Sequence, residues 1–164
     1  MTNHPPCCAT LGPRALAVAL TIGLCLPAVA GEGERAAQVP LSKTYKTECA
    51  ACHVAYPPGM LPAASWQRLM TGLPKHFGTD ASLDPATVEE LSRWLVANAA
   101  PSRRSVEPPP EDRITRSAWF TRQHDEVPAA TWKRAAIKSA SNCAACHTTA
   151  DKGNFDEHNV RIPR

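Results

Sequence analysis

Two pentapeptides decide what this chain can become. Cys49-Ala50-Ala51-Cys52-His53 and Cys143-Ala144-Ala145-Cys146-His147 repeat one pattern, Cys-x-x-Cys-His, 94 positions apart. Two thiols at that spacing reach the two vinyl groups of one porphyrin, and the histidine that follows lies under the iron as its proximal ligand. Thioether bonds then hold the haem permanently. A thioredoxin-like dithiol accounts for one Cys-x-x-Cys but not for the histidine after each. A zinc centre built from all four cysteines leaves both histidines without a role. The pattern therefore predicts two covalently attached c-type haems (heme c). Cys49, Cys52, Cys143 and Cys146 are the thioether positions, and His53 and His147 the proximal iron ligands. The flanks of the two motifs differ apart from Ala-Ala and a preceding polar residue (Glu48, Asn142). Two distinct haem units are expected, not a solenoid repeat.

The N-terminus points to export. Arg14 precedes an apolar run from Ala15 to Leu26, and Pro27-Ala28-Val29-Ala30 places small residues where a signal peptidase reads them. Residues 1–30 are expected to be a signal peptide cleaved after Ala30, giving a periplasmic protein. The run is about 12 residues, short of the roughly 20 a membrane span needs. Leu24 ahead of Cys25 is not the small residue a lipoprotein site requires. Cleavage takes Arg14 from the 18 bases and none of the 15 acids. A charge this near to balance does not fit a nucleic-acid binder with a basic stripe. It also takes Cys7, Cys8 and Cys25, so every remaining cysteine belongs to a Cys-x-x-Cys-His motif.

Periodicity predicts a mainly α fold with little or no sheet. Leu41, Tyr45, Cys49 and Cys52 fall at helical spacing, so a helix delivers the first motif. Tyr56-Pro57-Pro58-Gly59 breaks it. Ser65 is expected to cap a helix carrying Trp66, Leu69, Met70 and Leu73. Asp84-Pro85 predicts a capped helix with Val88, Leu91, Trp94 and Leu95 as its apolar stripe, running to about Asn98. Residues 31–100 form the first haem domain on this reading. Residues 101–112, with Pro108-Pro109-Pro110, read as a semi-rigid linker. The remainder, 113–164, is too short to build a full apolar core unaided, so its haem has to supply most of one.

Each iron takes a second axial ligand from a side chain or leaves that position open. Beyond the leader and the motifs the histidines are His76, His124 and His158, and the methionines are Met60 and Met70. His76 follows the first motif by 23 residues, with room to fold over the distal face, and is the expected distal ligand there. Met70 lies among apolar helix positions and reads as core, and Met60 as packing. For the second haem His124, 19 residues upstream of its motif and near Trp119 and Phe120, is favoured over His158, 11 residues downstream. Which haem each distal histidine serves stays open at this point.

These stretches resemble the exported dihaem cytochromes c of the DHC type. The resemblance is carried by the first motif running into Val54-Ala-Tyr-Pro-Pro-Gly-Met-Leu-Pro-Ala63, then by His76-Phe-Gly with Ala81-Ser-Leu-Asp-Pro85. Trp119-Phe120 with His124 follows, and the second motif leads into Asn154-Phe-Asp-Glu-His-Asn-Val-Arg-Ile-Pro163. It covers nearly the whole chain from Leu41. It implies a class I cytochrome c-like N-terminal domain, a small unusual C-terminal haem domain with little regular structure, and two bis-histidine haems. It further implies that His53 and His76 ligate the first haem and His147 and His124 the second. The partners it implies are redox proteins, a small oxygen-binding c-type haem protein and a membrane b-type cytochrome, with no nucleic acid and no direct membrane insertion.

The expected function is a periplasmic electron carrier and not an enzyme. Two histidines close each iron to substrate, and histidine in place of the usual methionine lowers the potential. A compact chain of this size has a radius of gyration of roughly 14 Å, which keeps the haems close. The alternatives are a small dihaem enzyme, a peroxidase or nitrogen-oxide reductase, and a gas-binding haem sensor. Both need an open or displaceable distal position. Arg103, Arg104, Arg113, Arg116, Arg122, Lys133 and Arg134 read either as a docking face for an acidic partner or as charges that neutralise haem propionates and solvate a surface.

Overall fold

The computed structural model describes residues 39–100 and 107–164. The leader, its cleavage point, and Arg103 and Arg104 lie outside them. Among the described residues the chain is helical, with four α-helices, a series of 3-10 turns and isolated bridges in place of strands. No described helix is long and apolar enough to cross a membrane.

Helix α1, Lys43–Cys49, starts at Ser42, whose hydroxyl accepts from the Tyr45 N–H at 3.0 Å. It ends three residues before Cys52, earlier than the periodicity predicts, because the chain must become extended ahead of the buried Pro57-Pro58 pair. Helix α2, Ala63–Thr71, corrects a second expectation. Its N-cap is Pro62 in extended backbone, and Ser65 sits inside the first turn, fully buried, with its Oγ accepting from Arg68 Nη2 at 3.5 Å. Ala63 and Ala64 are strong helix formers, so the helix begins before the serine that would otherwise cap it. Helix α3, Pro85–Ala97, forms where predicted. The Asp84 carboxylate accepts from the N–H groups of Ala86 and Thr87 at 3.1 and 3.0 Å.

These helices close one core. Helix α2 packs on α3, α1 on α3, and Tyr45, Leu61, Trp66, Met70, Leu91 and Leu95 are buried together. Met70 is core, as its helical neighbours imply. Two buried polar groups are satisfied without breaking that core. The Trp66 indole donates to the Pro58 carbonyl at 2.7 Å, and the Tyr45 hydroxyl to the Tyr56 carbonyl at 2.9 Å.

The second half is built differently. Its one α-helix, α4, Ala118–Gln123, is capped by the Ser117 hydroxyl, which accepts from the Phe120 N–H at 3.0 Å. The rest is turns and loops, and its buried apolar side chains are few: Phe120, Ile137 and Ala150. The chain around the second motif is tied to its C-terminal segment by Arg161 N–H donating to the Cys146 carbonyl at 2.8 Å and a bridge between His147 and Val160.

The described part of the Pro-rich stretch, 107–112, lies against α2. Asp112 accepts from Arg68 Nη2 at 2.6 Å and from Nε at 2.8 Å, a bidentate ion pair. Arg113 lies 4.3 Å over the Phe77 ring, and Ile114 packs on the first core.

Candidate haem-binding sites

At the first site α1 ends on Cys49, and Cys52 and His53 follow in the turn. The His53 imidazole is fixed on two sides. Its Nδ1 donates to the Val54 carbonyl at 2.7 Å, which leaves Nε2 with a free lone pair, and its ring stacks on Tyr56 at 4.7 Å. His76 comes from the opposite direction, at the end of the 3-10 turn Leu73–Lys75 whose Leu73 is anchored in the core. The chain then reverses through Phe77 (φ 50°) and Gly78 (φ 95°), a left-handed pair that glycine makes possible, and Thr79 N–H closes onto the His76 carbonyl at 3.0 Å. The His53 and His76 ring centroids lie 6.3 Å apart.

At the second site Cys143 and Cys146 bracket a 3-10 turn, and the His147 N–H donates to the Cys143 carbonyl at 2.8 Å. His124 sits at the C-terminal end of α4. Its Nδ1 donates to the Phe120 carbonyl at 2.9 Å, and its ring stacks on Phe120 at 4.1 Å. The His124 and His147 centroids lie 6.1 Å apart. Around them is an apolar cleft walled by Phe120, Trp132, Phe155 and Ile162, with Met60 contributed by the first half.

The chemistry of the donors fits a metal held between imidazoles. Metal–imidazole bonds of about 2 Å would let one metal sit between the facing rings of each pair, whose centroids lie 6.3 and 6.1 Å apart. Burial first, and then the facing imidazole, hold His76 and His147 below the ordinary histidine value, so their nitrogens stay neutral and able to ligate. The thiols of Cys49 and Cys143 are pushed up to about 11, chiefly by burial. The described cysteines form no disulfide, and no cluster of three or more His, Cys, Asp or Glu side chains gathers among the described residues. The two cysteine pairs therefore do not converge on one zinc site.

A family profile for dihaem cytochrome c, DHC, matches residues 45–155, from α1 to beyond the second motif. The chain belongs to the dihaem cytochrome c family. Solved structures agree. A dihaem type c cytochrome from Shewanella baltica OS155, sb-DHC, is 39% identical, with a TM-score of 0.66 over 76% of this chain and 95% of that one. DHC from Rhodobacter sphaeroides is 48% identical, with a TM-score of 0.61 over 71% of this chain and 99% of that one. A second diheme cytochrome c structure from the same organism is 45% identical, with a TM-score of 0.63 over 71% of this chain and 100% of that one. No curated protein matches the sequence. The dihaem cytochrome carries two c-type haems, and the chemistry of its family is electron transfer at haem iron.

The structure brings His76 to His53 and His124 to His147, so the two halves do not exchange histidines. His158 stays on the surface, its Nδ1 2.7 Å from Asp156 Oδ1. Sequence reasoning set Trp119 and Phe120 beside His124, and both line the second cleft, but it missed the other aromatic walls. Tyr56 was visible only as part of a proline turn, and Trp132 and Phe155 lie in loops without periodicity. Met60 packs, as expected, but on the cleft of the second half.

Proposed function

We propose that this dihaem cytochrome is an exported, periplasmic electron carrier whose two haems are each held by two histidines at low potential. Cys49 and Cys52 with Cys143 and Cys146 bind the porphyrins, His53 and His147 are proximal ligands, and His76 and His124 are distal ligands. The observation that carries this reading is the pair of opposed imidazoles, 6.3 and 6.1 Å apart, at separate motifs. The haems supply one-electron Fe(III)/Fe(II) exchange. The chain supplies opposed imidazole nitrogens, those of His53 and His124 oriented by Nδ1 hydrogen bonds, an apolar cleft around the second pair, and two centres in one small body. Histidine as the second ligand, where methionine would raise the potential, favours the low range. Its partners are other redox proteins, a small oxygen-binding c-type haem protein and a membrane b-type cytochrome being those the resemblance implies. Arg113, stacked on the exposed Phe77 beside His76, stands at the rim of the first site, where its guanidinium is paired with Glu111 at 3.0 Å.

A redox titration of the matured protein followed optically tests this. Both midpoints are expected well below zero against the hydrogen electrode. Two midpoints well above zero contradict the bis-histidine ligation.

One observation favours a second reading, a gas-binding sensor. Nδ1 of His76 is buried without a hydrogen-bond partner, whereas that of His124 is tethered to Phe120. A displaceable distal ligand would be His76.

A further inference from the structure

Tyr56 touches both halves of the molecule. Its ring lies 4.7 Å from the His53 imidazole with 19° between the planes. Its hydroxyl donates to the Ser141 carbonyl at 2.8 Å, a contact spanning 85 positions of sequence. That same oxygen is 3.7 Å from the sulfur of Cys143. The side chain is not on a loose arm. Its own carbonyl accepts from the buried Tyr45 hydroxyl at 2.9 Å, and Ala55 on one side and Pro57 and Pro58 on the other are buried. A series of close contacts thus runs from His53 of the first site, through a stacked aromatic ring, a 2.8 Å hydrogen bond and a 3.7 Å oxygen–sulfur contact, to Cys143 of the second.

We infer that Tyr56 is the residue that couples the two haem sites electronically, through its stack on His53 and its hydrogen bond to the Ser141 carbonyl beside Cys143. This rests on the carrier reading above. Electronic coupling decays more slowly along bonded and hydrogen-bonded atoms than across a gap, and this route crosses between the halves through a 2.8 Å hydrogen bond. One electron leaves the ferrous centre and one arrives at the ferric centre. Tyr56 is neither oxidised nor deprotonated, so no further reactant is needed. Burial pushes its phenol above the ordinary value, which keeps it a neutral hydrogen-bond donor.

The test is the intramolecular electron exchange rate in half-reduced holoprotein, read from NMR exchange between haem methyl resonances and extrapolated to low protein concentration. In Tyr56→Phe the ring stack remains and the hydrogen bond goes, so the rate falls several-fold while both haems stay low-spin. Tyr56→Leu removes the stack as well and slows exchange further. If that variant fails to mature, Tyr56→Phe alone decides. EPR of the fully ferric protein, which reads the interaction between the two spins, shows whether the haems have moved apart. An unchanged rate in Tyr56→Phe overturns the inference, and so does a slower rate accompanied by a changed spin interaction, which makes Tyr56 a spacer. Absence of concentration-independent exchange in the unmodified protein removes both this inference and the carrier reading, whereas normal exchange there with an unaltered Tyr56→Phe removes only this one.

Discussion

The four histidines proposed as axial ligands differ in how they are held. His53 and His124 donate Nδ1 to a backbone carbonyl, which sets the tautomer and aims Nε2 outward. Nδ1 of His76 and of His147 is buried without a hydrogen-bond partner, and their rings lie against Phe77 at 4.9 Å and Phe155 at 5.3 Å. His76→Ala is expected to turn one haem high-spin and leave the other low-spin, and His124→Ala to do the converse. His158→Ala is expected to leave both low-spin. EPR of the three variants checks this, and a high-spin signal from His158→Ala would contradict the pairing. The histidines proposed as proximal ligands stand out in the sequence because the Cys-x-x-Cys-His pattern sets them beside their cysteines. Those proposed as distal ligands could be nominated only by elimination and by the family resemblance, since a ligand that arrives from elsewhere in the fold leaves no local spacing.

Capping residues alone did not decide which helices were legible: α1 is capped by Ser42 but ends earlier than its periodicity predicts, and α4 is capped by Ser117 but has no apolar periodicity that predicts it. Asp84-Pro85 combines a cap and a favourable first residue, so α3 begins where its sequence says. Ser65 looks like a cap, but Pro62 and two alanines start α2 earlier and draw the serine into the core. Helix α4 is only Ala118–Gln123, one and a half turns that depend on Ser117 and on packing for their stability, and it carries His124 at its end. Ser117→Ala is expected to cost about 1 kcal/mol, the usual loss for an N-cap serine. A denaturant unfolding series on the holoprotein measures it. The low-spin spectrum should persist in the absence of denaturant, because the Phe120 carbonyl still holds His124.

At the scale of the whole molecule the first half carries a conventional core, whereas the second has few buried apolar side chains and packs against the first. The scarcity of large apolar residues after residue 112 was legible in the sequence. The docking was not, because the bidentate Arg68–Asp112 pair joins residues 44 positions apart. Arg68 holds the Asp112 carboxyl below its ordinary value of 3.8, so the folded protein binds this proton less readily than the unfolded chain. The contact stabilises above that pH and is lost as acid takes the pH down through the lowered value. Thermal midpoints measured against pH should therefore fall less on acidification in Asp112→Asn than in the unmodified protein. The central claim is that two histidines close each iron. Optical and EPR spectra of the matured protein, oxidised, reduced, and reduced under carbon monoxide, test it most directly. Two low-spin haems, no far-red methionine-to-iron band and no shift under carbon monoxide are predicted. A high-spin fraction or a carbon-monoxide-shifted Soret band would contradict it.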